Sequence, residues 1–247
     1  TKMWAIAACA LFAGTAAVNA EDYTWKFVTA GDATTYAIRS DGSLWSWGWN
    51  EKGQGGNGVS ERTATPTLAD GNRVWKKAVG GKAYGFFLAE DGSLWAAGTH
   101  EGGVQGTNDG IDHKVLTRIG TDNDWADMAC SRFWGYSGFA IKTNGTLWAW
   151  GKNSAGQLGI GNTQAQTAPV QVGADMDWKQ VAAGCSSVLA LKTDGSLWGW
   201  GFNMYSELFG HEGKQLSPVR LGSETDWEQV VVIDFRAYAV KKDGTLW

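Results

Sequence analysis

Asp41-Gly42-Ser43-Leu44-Trp45-Ser46-Trp47-Gly48 decides the fold, because the chain repeats it. It returns as Asp91-Gly92-Ser93-Leu94-Trp95-Ala96-Ala97-Gly98, as Asn144-Gly145-Thr146-Leu147-Trp148-Ala149-Trp150-Gly151 and as Asp194-Gly195-Ser196-Leu197-Trp198-Gly199-Trp200-Gly201. A fifth copy begins at Asp243-Gly244-Thr245-Leu246-Trp247. Successive copies lie 50, 53, 50 and 49 residues apart. A second column, Trp25, Trp75, Trp125, Trp178 and Trp227, keeps the same beat. Ten of the 16 tryptophans fall in these two columns, which removes chance as an explanation. A third column follows each full copy: Pro66, Pro169 and Pro218, with Leu116 at the corresponding place in the second unit. Self-similarity at such a period marks a repeat architecture.

Working outward from the repeat, each unit reads as strands. Val181-Ala182-Ala183 is a short strand before Gly184, and Ser187-Val188-Leu189-Ala190-Leu191-Lys192 is a second. Asp194-Gly195 reads as the hairpin turn, since this pair tolerates positive φ. Ser196-Leu197-Trp198-Gly199-Trp200-Gly201 is the returning strand. Pro169-Val170-Gln171-Val172 is an outer one, where proline is tolerated because an edge needs fewer donors. On the returning strand Trp45 and Trp47 share one face, and Leu44 and Ser46 the other. Both faces need cover, so a unit needs a neighbour on each side. This predicts an all-β fold, a β-propeller of four-stranded blades. It has four full units and part of a fifth, at about residues 21–73, 74–123, 124–176, 177–225 and 226–247. Trp45, Trp95, Trp148 and Trp198, with Gly48, Gly98, Gly151 and Gly201, are its structural framework.

Composition agrees. Glycine is 35 of 247 residues, and the charged fraction is 19%. A chain this aromatic can bury enough surface to fold, which excludes disorder. The glycine lacks a period of three, which excludes collagen. A net charge of −4 argues against nucleic acid as a partner. Residues 1–20, with Lys2 ahead of an apolar run and Val18-Asn19-Ala20 at its end, read as a secretory signal peptide. Its removal leaves residues 21–247 with Cys130 and Cys185, no stable membrane insertion, and an exported location: periplasmic, cell-surface or secreted. Two cysteines are no disulfide scaffold, and there is no Cys-x-x-Cys.

The repeat resembles the regulator of chromosome condensation repeat family. Gly184, Ala190-Leu191, Asp194-Gly195 and Trp200-Gly201-x-Asn203 carry the resemblance, with Gly156-Gln157-Leu158-Gly159 as the full copy of its last element. Gly53-Gln54-Gly55-Gly56 and Glu207-Leu208-Phe209-Gly210 are degenerate copies. The His-Ser that usually precedes the Ala-aliphatic pair is replaced by Ser187-Val188, and the first glycine becomes Ser131 in the third unit and Ile233 in the fifth. The resemblance covers about residues 25–247. It implies a ring of seven blades, of which this chain would form an open arc with apolar area on its terminal faces. It permits a nucleotide-exchange role or an exported inhibitory role, and the leader argues against the first.

The chemistry of enzymes is sparse. His100, His113 and His211 lack ligand spacing, so no metal is expected. Asn108-Asp109-Gly110-Ile111-Asp112 lacks the calcium-loop pattern. Gly102-Gly103-Val104-Gln105-Gly106 lacks the Gly-Lys-Ser/Thr of a phosphate loop, so no cofactor is expected. Function is then expected where the repeat breaks its own rule. The third unit carries three extra residues between Ser131 and Asn144, reading Arg132-Phe133-Trp134-Gly135-Tyr136. These types dominate protein-interface hot spots. Corresponding turns carry Tyr84 and Phe235-Arg236, and all should meet at one mouth of the ring. Tyr36, Phe86 and Tyr238 fit an inward core column. The leading reading is a non-enzymatic propeller that binds a protein partner through one face. The alternative is a lectin-like propeller using its tryptophans on glycans. A third is a hydrolase or lyase with paired carboxylates at the mouth.

Overall fold

A computed structural model describes residues 24–203 and 213–247. The leader at 1–20, the copy at 207–210 and His211 lie outside the described residues. The first sheet has the order β1(Trp25–Ala30), β2(Thr34–Arg39), β3(Leu44–Gly48), β4(Thr63–Asp70). The second is β5(Trp75–Gly80), β6(Tyr84–Ala89), β7(Leu94–Gly98), β8(His113–Arg118). The third is β9(Trp125–Cys130), β10(Ser137–Lys142), β11(Leu147–Gly151), β12(Gln166–Gln171). The fourth is β13(Trp178–Ala183), β14(Ser187–Lys192), β15(Leu197–Asn203), β16(Gly213–Arg220). The fifth pairs β17(Trp227–Ile233) with β18(Arg236–Lys241), and a bridge joins Val240 to Leu246. All pairing within sheets is antiparallel, as the alternating patterns require.

The Asp-Gly-Ser-Leu-Trp stretch has a defined role, and it differs from the expected two-residue hairpin. The turn between β14 and β15 spans four residues, closed by Lys192 N–H donating to Ser196 O. Only Gly195 takes positive φ, at +83°. Asp194 acts as an acceptor: its Oδ1 receives the Ser196 N–H (2.8 Å) and hydroxyl (2.6 Å), and the Ser196 Oγ then receives the Trp198 indole N–H (2.9 Å). Asp41, Asp91, Asn144 and Asp243 build the same relay. The repeat therefore fixes where each tryptophan ring lies.

The core sits between sheets. Trp200 is fully buried at the third–fourth interface, edge-on to Trp178 (6.1 Å) and Phe139 (6.5 Å), and donates to Gln157 O at 2.8 Å. Trp150 makes the equivalent bond to Val104 O one interface earlier. Straps add to this: Gly58 N–H donates to Lys114 O, Asn108 N–H to Thr167 O, and Gly161 N–H to Leu216 O. Each runs from the loop after one sheet's third strand to the outer strand of the next sheet.

Tyr36 and Phe86 are fully buried, but Tyr238 is 40% exposed. That corrects its assignment to the core: the inward column is covered only where a further sheet packs on it, and among the described residues none lies against the outer side of β17 and β18. Val231, Ile233 and Leu246 are exposed in the same sheet, as Trp25 and Val28 are in the first.

Candidate functional site

The turns that join the first and second strands of each sheet meet at one end of the central channel. Aligned on the repeat, they place Asp32, Lys82, Arg132, Cys185 and Asp234 in one column, each following the residue that ends its inner strand or closes the short strand. Direct bonds tie neighbouring turns. Asp32 N–H donates to Gly81 O (3.2 Å), and Cys185 N–H donates to Asp234 O (3.0 Å).

The third-unit turn, residues 131–136, is the longest and reaches furthest. Arg132 Nη2 donates to Ala30 O at 3.1 Å, joining the third sheet to the first. The Phe133 N–H and the Arg132 charge both act to lower the Asp32 carboxyl's pKa. Lys82 Nζ sits 3.5 Å from the centre of the Trp134 ring, a cation–π contact. Cys185 Sγ donates to Arg132 O at 3.6 Å, and Gln157 Nε2 donates to Gly135 O. Phe133 and Tyr136 take φ of +49° and +43°, values that favour glycine. Contacts from four sheets thus hold a strained turn across the channel mouth, where a free loop would relax.

The structure divides the residues expected to meet a partner. Trp134 is 62% exposed, Phe133 44% and Phe235 37%; Arg236 is exposed and Arg132 half-buried. Tyr84 and Tyr136 are buried and leave the set. Their rings meet at 5.9 Å, tilted by 33°, within the core of the second and third sheets, and Tyr84 Oη donates to Ser131 O. The aromatic-turn signal could not separate an outward ring from one whose hydroxyl finds a carbonyl in the next unit. Reasoning on Arg132-Phe133-Trp134 also missed Asp32, Lys82, Cys185 and Asp234. The signal that finds them is the register of the five turns rather than any motif.

The electrostatics of the mouth are mixed. Partial desolvation holds the Asp32 carboxyl above its usual range, against the lowering by the Phe133 N–H and by Arg132. Burial pushes the Cys130 thiol up to about 12, and raises Cys185 too. Both cysteines are free and buried, and burial disfavours the thiolate that a nucleophile needs. Burial and nearby Glu101 push Tyr136 up to about 12. Away from the mouth, His100 pairs with Asp112 and His113 with Asp109, each at 2.8 Å. Among the described residues no three ligand-type side chains converge.

The tryptophan columns are largely interior. Trp75, Trp125, Trp178 and Trp227 are buried and offer sugars no stacking surface, whereas Trp25 is exposed. Lys142, Lys192 and Lys241 each lie between two indoles and are paired with aspartates at the sheet ends.

Known proteins share this architecture. The pattern described as "Regulator of chromosome condensation (RCC1) repeat" matches residues 41–88 and 144–191, and a second pattern of that description matches residues 25–54. The Ultraviolet-B receptor UVR8 of Arabidopsis thaliana is 30% identical over 163 residues, 65% of this chain and 37% of the receptor. Protein RCC2 of Homo sapiens is 27% identical over 150 residues, 60% of this chain and 19% of that protein. Among solved structures, human WBSCR16 superposes with a TM-score of 0.79 at 18% identity, covering 92% of this chain and 61% of that one. Yeast RCC1 (Prp20) superposes at 0.77 and 20%, covering 91% and 56%. The chain thus spans between 19% and 61% of the length of these proteins. With the five-fold Asp-Gly-Ser-Leu-Trp relay, the blade order and these matches in agreement, the chain belongs to the regulator of chromosome condensation repeat family.

Proposed function

We propose that the protein is a non-enzymatic, exported propeller that binds a protein partner through the face carrying the inner turns. One observation carries this reading: Phe133 and Trp134 are exposed on a turn whose backbone carbonyls are held by Cys185 and Gln157 and whose Arg132 side chain is anchored on Ala30 O. Aromatic anchors on a pre-ordered backbone lose little entropy on binding, which is what hot spots require. Phe235 and Arg236 extend the patch from the fifth sheet. The similar propeller of yeast RCC1 was crystallised bound to Kap60, which supports a protein partner for a ring of this make. Export rests on the leader-like residues 1–20.

The test is cross-linked capture with the unaltered protein and with a Phe133→Ala/Trp134→Ala variant. A partner held by the first and lost by the second supports the reading, and a Val28→Ala/Val59→Ala variant, altered elsewhere on the surface, retains it. Equal recovery by all three defeats the site. A reporter enzyme fused after residue 20, active only outside the cytoplasm, tests the address.

A further inference from the structure

Below the third-unit turn, the inner strands β1, β5, β9, β13 and β17 line an open axial cavity of about 350 Å³. That volume falls within the range of small-molecule sites. Its walls come from Val79, Ala129, Ala182 and Val231, one from each of four strands, with Thr29 from the first. Two charged residues line it, Lys77 and Arg132, and both are cations. Lys77 is already satisfied: its Nζ is held by Asp127 Oδ1 and by Met128 O at 2.9 Å. Arg132 is not. Its guanidinium carries five N–H donors. One goes to Ala30 O, and no ion pair within 4.0 Å engages it among the described residues.

A cavity whose lining joins aliphatic side chains to a similar share of polar surface, with one cation holding spare donors at its neck, suits a small anion with an apolar body. The planar guanidinium matches a carboxylate, which it can hold by two parallel bonds. We propose that the axial cavity is a binding site for a small aliphatic carboxylate, with Arg132 taking the acid group and the Val79 and Val231 side chains lining its chain. Asp32, in the neighbouring turn, interacts with the Arg132 charge and competes for it. Lys82 is drawn away by Trp134, and Asp234 adds negative charge on the rim. The site shares Arg132 with the turn of the protein-binding reading but takes its ligand in the channel beneath, away from the exposed Phe133 and Trp134.

Octanoate is the probe, with octanol as its uncharged counterpart, read by methyl NMR and calorimetry on the full chain. Octanoate shifts the Val79 and Val231 methyls and leaves those of Val28 and Val59 in place. Octanol binds at least about tenfold more weakly, the discrimination of one charge-assisted pair. Arg132→Met costs at least the same factor, and Asp32→Asn, which keeps an acceptor for the Phe133 N–H, tightens binding. Unmoved Val79 and Val231 methyls at millimolar octanoate overturn the proposal. Equal affinity for octanol does so too, as does an Arg132→Met variant that binds unchanged. Should that variant lose its native spectrum, the octanoate-to-octanol ratio on the unaltered protein decides.

Discussion

Replacing Trp200 tests whether the arc is held by its sheet interfaces. The side chain is fully buried between the third and fourth sheets, edge-on to two rings, with its N–H on Gln157 O. Trp200→Ala removes the whole ring, and such truncations cost about 3–5 kcal/mol. Against a total stability of about 5–15 kcal/mol, that is a large share. At roughly 2–4 °C per kcal/mol for a chain this long, the melting midpoint falls by about 6–20 °C. Trp200→Phe separates the contributions: it keeps most apolar contact but orphans Gln157 O, for about 1–3 kcal/mol. Trp134→Ala is the control, because that ring is 62% exposed and its loss stays near 0.5 kcal/mol. Near-UV circular dichroism during heating and urea melts give the three values. If Trp200→Ala melts within about 3 °C of the parent, or no lower than Trp134→Ala, the interface account is wrong.

Two further outcomes concern the turns. Gly201→Ala destabilises the chain by more than about 2 kcal/mol: its φ is +93°, and the added Cβ lies 2.1 Å from Ser186 O, which is backbone and cannot swing away. Gly173→Ala, at φ +63° with open space around it, costs only about 1 kcal/mol; equal urea midpoints for the two would contradict the close approach. The second is acid sensitivity. Hydroxyl and N–H bonds from Ser43, Ser93 and Ser196 hold Asp41, Asp91 and Asp194 below the usual carboxylate value of 3.8. Their contribution is complete above that value and is lost as pH falls through the lowered folded values. Stability therefore declines on acidification below about pH 4, and an Asp41→Asn/Asp91→Asn/Asp194→Asn variant shows a shallower decline. Asn144 demonstrates that an amide can hold the turn. An unchanged acid slope would sever the link.

The blade plan was legible because its causes are periodic. The Trp and Asp-Gly columns mark the ends of strands, and the stretch 187–192 is β14 to the residue. What the residues could not reveal depends on partners distant in sequence. Tyr84 and Tyr136 look like surface aromatics until Ser131 O and the facing ring are placed beside them. Arg132 looks like a free interface residue until Ala30, 102 positions away, takes one of its donors. Tyr238 fits the inward column by spacing, but burial belongs to the neighbour that packs on it and not to the column itself. The Asp of each turn was assigned to backbone conformation, whereas its carboxylate is the first link of a relay that ends on a tryptophan.

The straps give the arc a direction. Gly58, Asn108 and Gly161 each donate forward, to an outer strand that follows them in the chain. An exposed strand edge invites unwanted pairing, and a single main-chain bond from upstream blunts it. Nascent chain emerging from the ribosome would have each such guard synthesised before the edge it protects. Shaving blades from the front therefore uncovers a vulnerable rim on what remains, while shaving from the back leaves the guards on β8, β12 and β16 in place wherever those strands survive.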